Sequence, residues 1–145
     1  MKKGELLFVY GTLLRGERAD INKNALIHST SFMSKDQING YLYHLGAFPG
    51  LCLLPRTSDI LDVFDPDGPV VHGETYRVGD QSVCAILDAY EGYPILYNRQ
   101  EACTKNHRKV WAYTFNPPVI KDQLIETGDW RNPRLVVTHR IPKVG

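Results

Sequence analysis

Short apolar runs separated by turn residues dominate the chain. Residues 5–10 are strand-like and stop at Gly11-Thr12, which is a strong turn signal. The same pattern predicts further strands at residues 37–45, 51–54, 70–78, 97–104 and 109–115, with a small last one at 135–138. Because short strands outnumber helices and do not alternate regularly with them, we expect an α+β fold, with a mixed sheet curled into a small barrel.

One segment has a helical period. Residues 80–91 follow an i, i+3, i+4, i+7 pattern, and their expected apolar face consists of Val83, Ile86, Leu87 and Tyr90. Asp80 suits the N-cap, and Gly92 followed by Pro94 ends the helix. Residues 17–28 form a weaker helix candidate. In the stretch 57–69, Asp65-Pro66-Asp67-Gly68 has no closing glutamate of a calcium loop and is interpreted as a turn.

Composition narrows the possible functions. The 145 residues, 43% of them hydrophobic, suit one domain spanning 1–145 with a single core. A net charge of +1 with scattered basic residues argues against a nucleic-acid partner. No apolar stretch reaches the roughly 20 residues of a membrane span. The N-terminal apolar run contains Glu5 and leads into a turn, so we interpret it as a first strand and expect a cytoplasmic protein.

Cysteine and histidine spacings argue against structural cross-links and metals. The three cysteines, Cys52, Cys84 and Cys103, lack Cys-x-x-Cys spacing and are odd in number, which is not typical of a disulfide framework or a zinc site. Cys84 falls in the helical pattern, so we expect a core thiol. The five histidines show no short metal-ligand spacing. We therefore expect no metal.

Glu91 is the first candidate for chemistry. At about 100° per residue it falls at the edge of the predicted apolar face, just before the helix ends, whereas Asp88 falls roughly opposite and should be solvated. Burial and the negative end of the helix dipole would both raise the pKa of Glu91 towards that of a base near neutral pH. A surface glutamate at a helix end is the plainer alternative.

Two further segments offer groups that bind anions. In Tyr10-Gly11-Thr12-Leu13 the chain leaves a strand, and successive backbone N–H groups of such a turn can form a nest for a carboxylate or oxyanion. A simple strand-ending turn is the alternative. Tyr97 and Arg99 lie on one face of a later strand. They are candidate donors to a carboxylate, or an ordinary amphipathic pair.

Taken in order, several motifs resemble those of the γ-glutamyl cyclotransferase-like (AIG2-like) family. The set comprises Tyr10-Gly11-Thr12-Leu13, Gly40-Tyr41-Leu42-Tyr43, Gly46-Ala47-Phe48-Pro49-Gly50, Gly73-Glu74-Thr75-Tyr76, Leu87-Asp88-Ala89-Tyr90-Glu91-Gly92 and Tyr97-Asn98-Arg99. The resemblance spans about residues 5–115, and Gly128-Asp129-Trp130 resembles the family's tail. Residues 57–69 and the tail after 116 are less typical.

The resemblance implies a fold, a site and a reaction. The fold is a small mixed β-barrel with flanking helices. Glu91 is the catalytic acid/base, and Tyr10, Gly11, Thr12 and Leu13 bind substrate, with Tyr97 and Arg99 as further candidates. The reaction closes a γ-glutamyl group to 5-oxoproline and releases an amine or amino acid, without a cofactor. Which γ-glutamyl compound is used, and the oligomeric state, stay open.

Two rival functions stay open. The first is a non-enzymatic module that holds a small acidic ligand in the same cavity. A carboxylate at position 91 argues against it, since an anionic ligand gains nothing from a buried carboxylate. The second is amide hydrolysis, which would release glutamate instead of 5-oxoproline.

Overall fold

A computed structural model describes residues 1–15, 28–54 and 63–134. Within them a five-stranded sheet has the order β2-β5-β1-β7-β6. Its strands are β1 (Leu6–Val9), β2 (Thr30–Asn39), β5 (Val70–Val78), β6 (Tyr97–Cys103) and β7 (Lys109–Phe115). The sheet is mixed, because β1 pairs antiparallel with β5 and parallel with β7. A separate hairpin joins β3 (Tyr41–His44) to β4 (Pro49–Cys52).

The central position of β1 explains its unbroken apolar sequence. Leu7 and Val9 enter one buried cluster together with residues of the helix. Phe8 and Tyr10 enter a second cluster, with residues of the β3–β4 hairpin. A strand buried on both faces has no polar face to show. The end of β1 therefore delivers the 10–13 turn to a place where both halves of the core meet.

The expected fold class is confirmed, but the barrel is not closed. The hairpin and the larger sheet remain two sheets among the described residues. They approach each other where β4 packs against β7. On the hairpin, Tyr43 also forms an isolated bridge to Leu124, which lies outside both sheets. Lys121–Gln123 forms a short 3-10 helix just before that bridge. No helix in the described ranges is long and apolar enough to cross a membrane.

Helix α1 (Ser82–Glu91) packs on the sheet and ends at the predicted residue. Gly92 forms the C-cap in the left-handed region, with φ 67°. The helix starts two residues later than expected: Gln81 is the N-cap, while Asp80 accepts the Ser82 N–H at 3.0 Å. Ile86 is 40% exposed, so its predicted place on the buried face is wrong, and Cys84 packs beside the core instead.

Strand boundaries differ from the predicted ones before residue 55: β2 begins at Thr30, and the predicted strand 51–54 is β4 at Pro49–Cys52. The predicted strand 37–45 is the end of β2 plus all of β3, divided at Gly40. A Cβ at Gly40 would lie 2.9 Å from the Cys52 carbonyl oxygen, which explains a glycine between two strands that turn sharply. The turn at residues 65–68 is present. The predicted elements at 135–138 and over most of 17–28 lie outside the described residues.

Candidate active site

A cavity of about 280 Å³ lies where the end of β1, the end of α1 and the start of β6 converge. Its walls are mainly apolar and aromatic. They are formed by Phe8, Val9, Tyr10, Gly11, Thr12, Leu13, Phe48, Pro49, Tyr90, Glu91, Leu96, Tyr97 and Tyr113. Glu91 is the one charged side chain among these described lining residues. A small cavity with a single carboxylate is a place where that carboxylate can do acid–base work.

Glu91 is the last residue of α1, so its side chain reaches the cavity as the helix stops. Burial raises the pKa of Glu91 to about 7. Within the described residues no hydrogen bond or ion pair to its carboxylate is found, so nothing offsets the cost of its charge. At neutral pH such a group is divided between its two protonation states, which suits a residue that takes and then returns a proton.

The hydroxyl groups of all four tyrosines that line the cavity form hydrogen bonds, that of Tyr113 with Asp88. Tyr10 donates to the Tyr113 carbonyl oxygen at 2.6 Å, and Tyr97 donates to the Pro49 carbonyl oxygen at 2.8 Å. Tyr90 shares a hydrogen bond with the Thr12 hydroxyl at 2.8 Å. Burial, and then the nearby charge of Glu91, raise the pKa of both Tyr10 and Tyr97. The hydroxyls of Tyr10 and Tyr97 therefore stay neutral donors that fix the shape of the cavity.

All four residues of the 10–13 turn line this cavity. The Leu14 N–H bonds to the Gly11 carbonyl oxygen at 3.0 Å, which closes a tight turn. For the N–H groups of Gly11, Thr12 and Leu13, the described part of the chain offers no backbone or side-chain acceptor. Donors left unpaired in a cavity wall are available to a bound carboxylate or oxyanion.

Gly11 is set by packing rather than by backbone strain. A Cβ at this position would lie 2.6 Å from Cγ and 2.9 Å from Cδ of Pro49. The ring of Pro49 thus lies directly against the turn, and the same residue holds the Tyr97 hydroxyl. A side chain at position 11 would therefore collide with Pro49 of the hairpin.

Arg99 lies outside the cavity lining. Its Nε lies 3.1 Å from Oδ1 of Asp88, and its guanidinium is 4.3 Å from the centre of the Tyr93 ring. Tyr97 and Arg99 do point the same way along β6, as strand alternation predicts. Only Tyr97 comes early enough in the strand to reach the cavity, so the structure brings Tyr97 together with Glu91 and residues 10–13, but not Arg99.

Asp88 is not solvated, and that prediction is wrong. It accepts a hydrogen bond from the Tyr113 hydroxyl at 2.5 Å and pairs with Arg99. The helical projection placed it opposite the apolar face, but Arg99 of β6 and Tyr113 of β7 reach it there. Since Tyr113 lines the cavity, Asp88 supports a wall of the site.

Sequence reasoning missed most of the aromatic lining. Tyr90 was assigned only to the helix face, Phe48 and Pro49 only to a turn, and Tyr113 only to a strand. For Tyr90 a signal existed, because it precedes Glu91 at the helix end. Phe48 and Tyr113 come from distant segments that only the packing of the hairpin against β7 brings together.

Comparisons with known proteins identify the family of this chain. A family model described as gamma-glutamyl cyclotransferase, AIG2-like, matches residues 7–132. A Vibrio cholerae protein with a provisional gamma-glutamylcyclotransferase name is 35% identical over 128 residues, covering 86% of this chain and 94% of that protein. YtfP of Escherichia coli, named a gamma-glutamylcyclotransferase family protein, is 32% identical over 125 residues, covering 86% of this chain and 94% of YtfP.

Solved structures show the same fold. The solution structure of Escherichia coli YtfP matches with a TM-score of 0.60, covering 86% of this chain and 95% of YtfP. A mouse AIG2-like protein matches with a TM-score of 0.62 at 24% identity, covering 81% of each chain; at that identity it supports the fold alone. Because the family model matches residues 7–132 and relatives are more than 30% identical, this chain belongs to the gamma-glutamyl cyclotransferase, AIG2-like, family.

Proposed function

We propose that this protein cyclises γ-glutamyl amides to 5-oxoproline, with Glu91 as the acid/base. The observation that carries the proposal is an uncompensated carboxylate, with a pKa of about 7, in one small cavity with the unpaired N–H groups of residues 11–13. The nucleophile is the substrate's own α-amine. The lining needs no serine or cysteine to supply one, and among the described lining residues neither type occurs.

The reaction follows from these groups. The Glu91 carboxylate takes a proton from the α-ammonium, and the freed amine attacks the γ-carbonyl carbon, so that a five-membered ring forms. The N–H groups of the 10–13 turn stabilise the anionic oxygen or the α-carboxylate. Glu91 then gives this proton to the leaving nitrogen and the amide bond breaks. The regenerated carboxylate takes the second proton from the ring nitrogen and passes it to the departing amine, which leaves as an ammonium. Holding the chain in a ring-closing geometry supplies the remaining acceleration.

Tyr97 and Arg99 have different parts in this proposal. Tyr97 forms a wall beside Glu91 and fixes Pro49 through its hydroxyl. Arg99 acts on the cavity indirectly: it pairs with Asp88, and Asp88 accepts a hydrogen bond from the hydroxyl of Tyr113 in the cavity wall. Arg99 is therefore proposed as a support of the cavity wall, whereas direct contact with substrate is reserved for residues 10–13 and Tyr97.

A release assay separates the three candidate functions. With a γ-glutamyl amine or dipeptide, a cyclotransferase yields 5-oxoproline, an amidase yields glutamate, and a binding module yields neither. The matched control is the same compound with its α-amine acetylated, which cannot cyclise but remains a substrate for hydrolysis. Release of glutamate, or cleavage of the acetylated compound, would contradict the proposal.

The pH dependence gives an independent check. Since Glu91 must be ionised to accept the first proton and its pKa is raised to about 7, kcat/KM should rise through about pH 7 on the acid side of its profile. A profile already flat from pH 5 to pH 7 would show that another group, or a differently placed Glu91, limits the reaction.

A further inference from the structure

Glu74 on β5 contacts the chain on both sides of the 10–13 turn. In the β1–β5 ladder it is the register partner of Val9, the last strand residue before the turn. Its Oε1 accepts the backbone N–H of Arg15 at 2.9 Å, just after the turn. One residue thus holds the segment at its start and at its end, and the residues between must span a fixed gap.

Glu74 holds Arg15 through an ion pair as well as through the hydrogen bond to its N–H. Oε2 of Glu74 lies 3.5 Å from Nε of Arg15 and 3.8 Å from Nη1 of Arg131. Arg131 also donates to the Arg15 carbonyl oxygen. Glu74 therefore holds the N–H and the guanidinium of Arg15. Arg131, which is itself paired with Glu74, holds the Arg15 carbonyl oxygen. Charge-assisted bonds to a buried carboxylate are stronger than neutral ones, and Glu74 is only 2% exposed.

Glu74 itself does not line the cavity. It lies behind the turn, so any influence on substrate passes through the backbone of residues 10–15. Resting on the proposed function, we propose that Glu74 is a positioning residue for substrate binding. It orients the backbone N–H groups of residues 11–13 towards the substrate α-carboxylate, while Glu91 carries out the proton transfers.

The test is a split between KM and kcat. Glu74→Gln keeps an oxygen for the Arg15 N–H but sets an amide NH₂ against two arginines, so KM should rise about 10-fold with kcat within about 3-fold. Glu74→Ala removes the grip altogether and should raise KM about 100-fold. Tyr76→Phe is the matched control. It deletes the other hydrogen bond to Oε1, at 3.0 Å, without touching Arg15, and should leave KM unchanged.

A substrate change shows whether the effect reaches the α-carboxylate. A 4-aminobutyryl amide lacks that group and would close to 2-pyrrolidinone. On this compound Glu74→Gln should change KM by less than about 2-fold, because the donors aimed by Glu74 have no carboxylate to meet. An equal rise of KM on both compounds, or a fall confined to kcat, would overturn the inference.

Hydrogen exchange tests the positioning without turnover. The Leu14 N–H donates to the Gly11 carbonyl oxygen and so reports on the shape of the turn. Its exchange should be about 10-fold faster in Glu74→Gln than in the wild type or in Tyr76→Phe. Unchanged exchange would overturn the positioning role even in an active enzyme. Absence of 5-oxoproline from the wild type, with faster exchange in the variant, would instead overturn the proposed function alone.

Discussion

Two carboxylates flank the 10–13 turn, and their surroundings differ in kind. Glu74 is almost fully buried, yet each oxygen has partners: the Arg15 N–H and Tyr76 hydroxyl on one, two guanidinium groups on the other. Glu91 is only partly buried but faces tyrosines and apolar side chains, with no partner found in the described ranges. Counter-charges, rather than depth of burial, separate the paired carboxylate of Glu74 from the carboxylate that we propose as the acid/base.

The largest expected effect comes from Glu91→Gln. The amide keeps the shape of the side chain but cannot carry a proton between the two nitrogens. We expect kcat to fall by roughly 10²–10⁴-fold, with the fold and ligand affinity retained, as measured by 5-oxoproline release and by calorimetry. A variant that keeps more than about a tenth of wild-type kcat would contradict the assignment.

The control for this variant has to avoid the cavity walls. Asp88→Asn is unsuitable because Asp88 holds Tyr113 and Arg99. Glu126→Gln makes the same chemical change at an exposed position remote from the lining. Its activity and stability should match those of the wild type.

Glu74→Gln should be the more destabilising of the two glutamate substitutions. It weakens charge-assisted contacts of a buried carboxylate, each worth about 1.5–3 kcal/mol. Because Arg15 and Arg131 are partly exposed, we expect a loss near the lower end of that range in the free energy of unfolding, measured by urea titration. Equal stability of Glu74→Gln and Glu91→Gln would show that the two sites do not differ as described.

Gly11→Val tests the part of the turn that packs against Pro49. The new side chain must displace the Pro49 ring, which should cost about 1–3 kcal/mol of stability and weaken substrate binding. Thr12→Ser keeps the N–H and the hydroxyl shared with Tyr90, so its stability and KM should stay near wild type. A Gly11→Val protein with normal KM would mean that the turn does not contact substrate. A crystal soaked with 5-oxoproline would then show the ligand away from residues 11–13.

The smallest effect is a pH dependence of stability that belongs to Glu91 alone. Its pKa is raised from 4.5 to about 7, so the folded state binds more protons than the unfolded state between these values. Stability from this group is complete below about pH 4.5 and is lost as pH rises through about 7. Glu91→Gln should therefore be more stable than wild type at pH 8, by about 1 kcal/mol after allowing for solvent contact, and indistinguishable at pH 4. The reverse order at pH 8 would show that Glu91 has a hidden partner.

The sequence by itself determined the local features of this protein. The period of residues 80–91 placed Glu91 at a helix end, and the strand-then-glycine pattern placed the 10–13 turn after β1. Both depend on neighbours within one helical turn or one strand, which is the range over which side-chain periodicity carries information. The ordered motifs likewise gave the family, which the comparisons confirm.

Only the tertiary structure decided what surrounds each charged group. Asp88 was expected in solvent and Arg99 in the site, yet they pair with each other behind Tyr113. Glu74 appeared only as part of a motif, and its partner Arg131 lies 57 residues further along the chain. Whether a carboxylate meets a cation or an apolar wall depends on which distant segments pack against it. No local pattern encodes that packing, so the sequence could nominate Glu91, but only the folded chain shows that Glu91 lacks the cationic partners that Glu74 has.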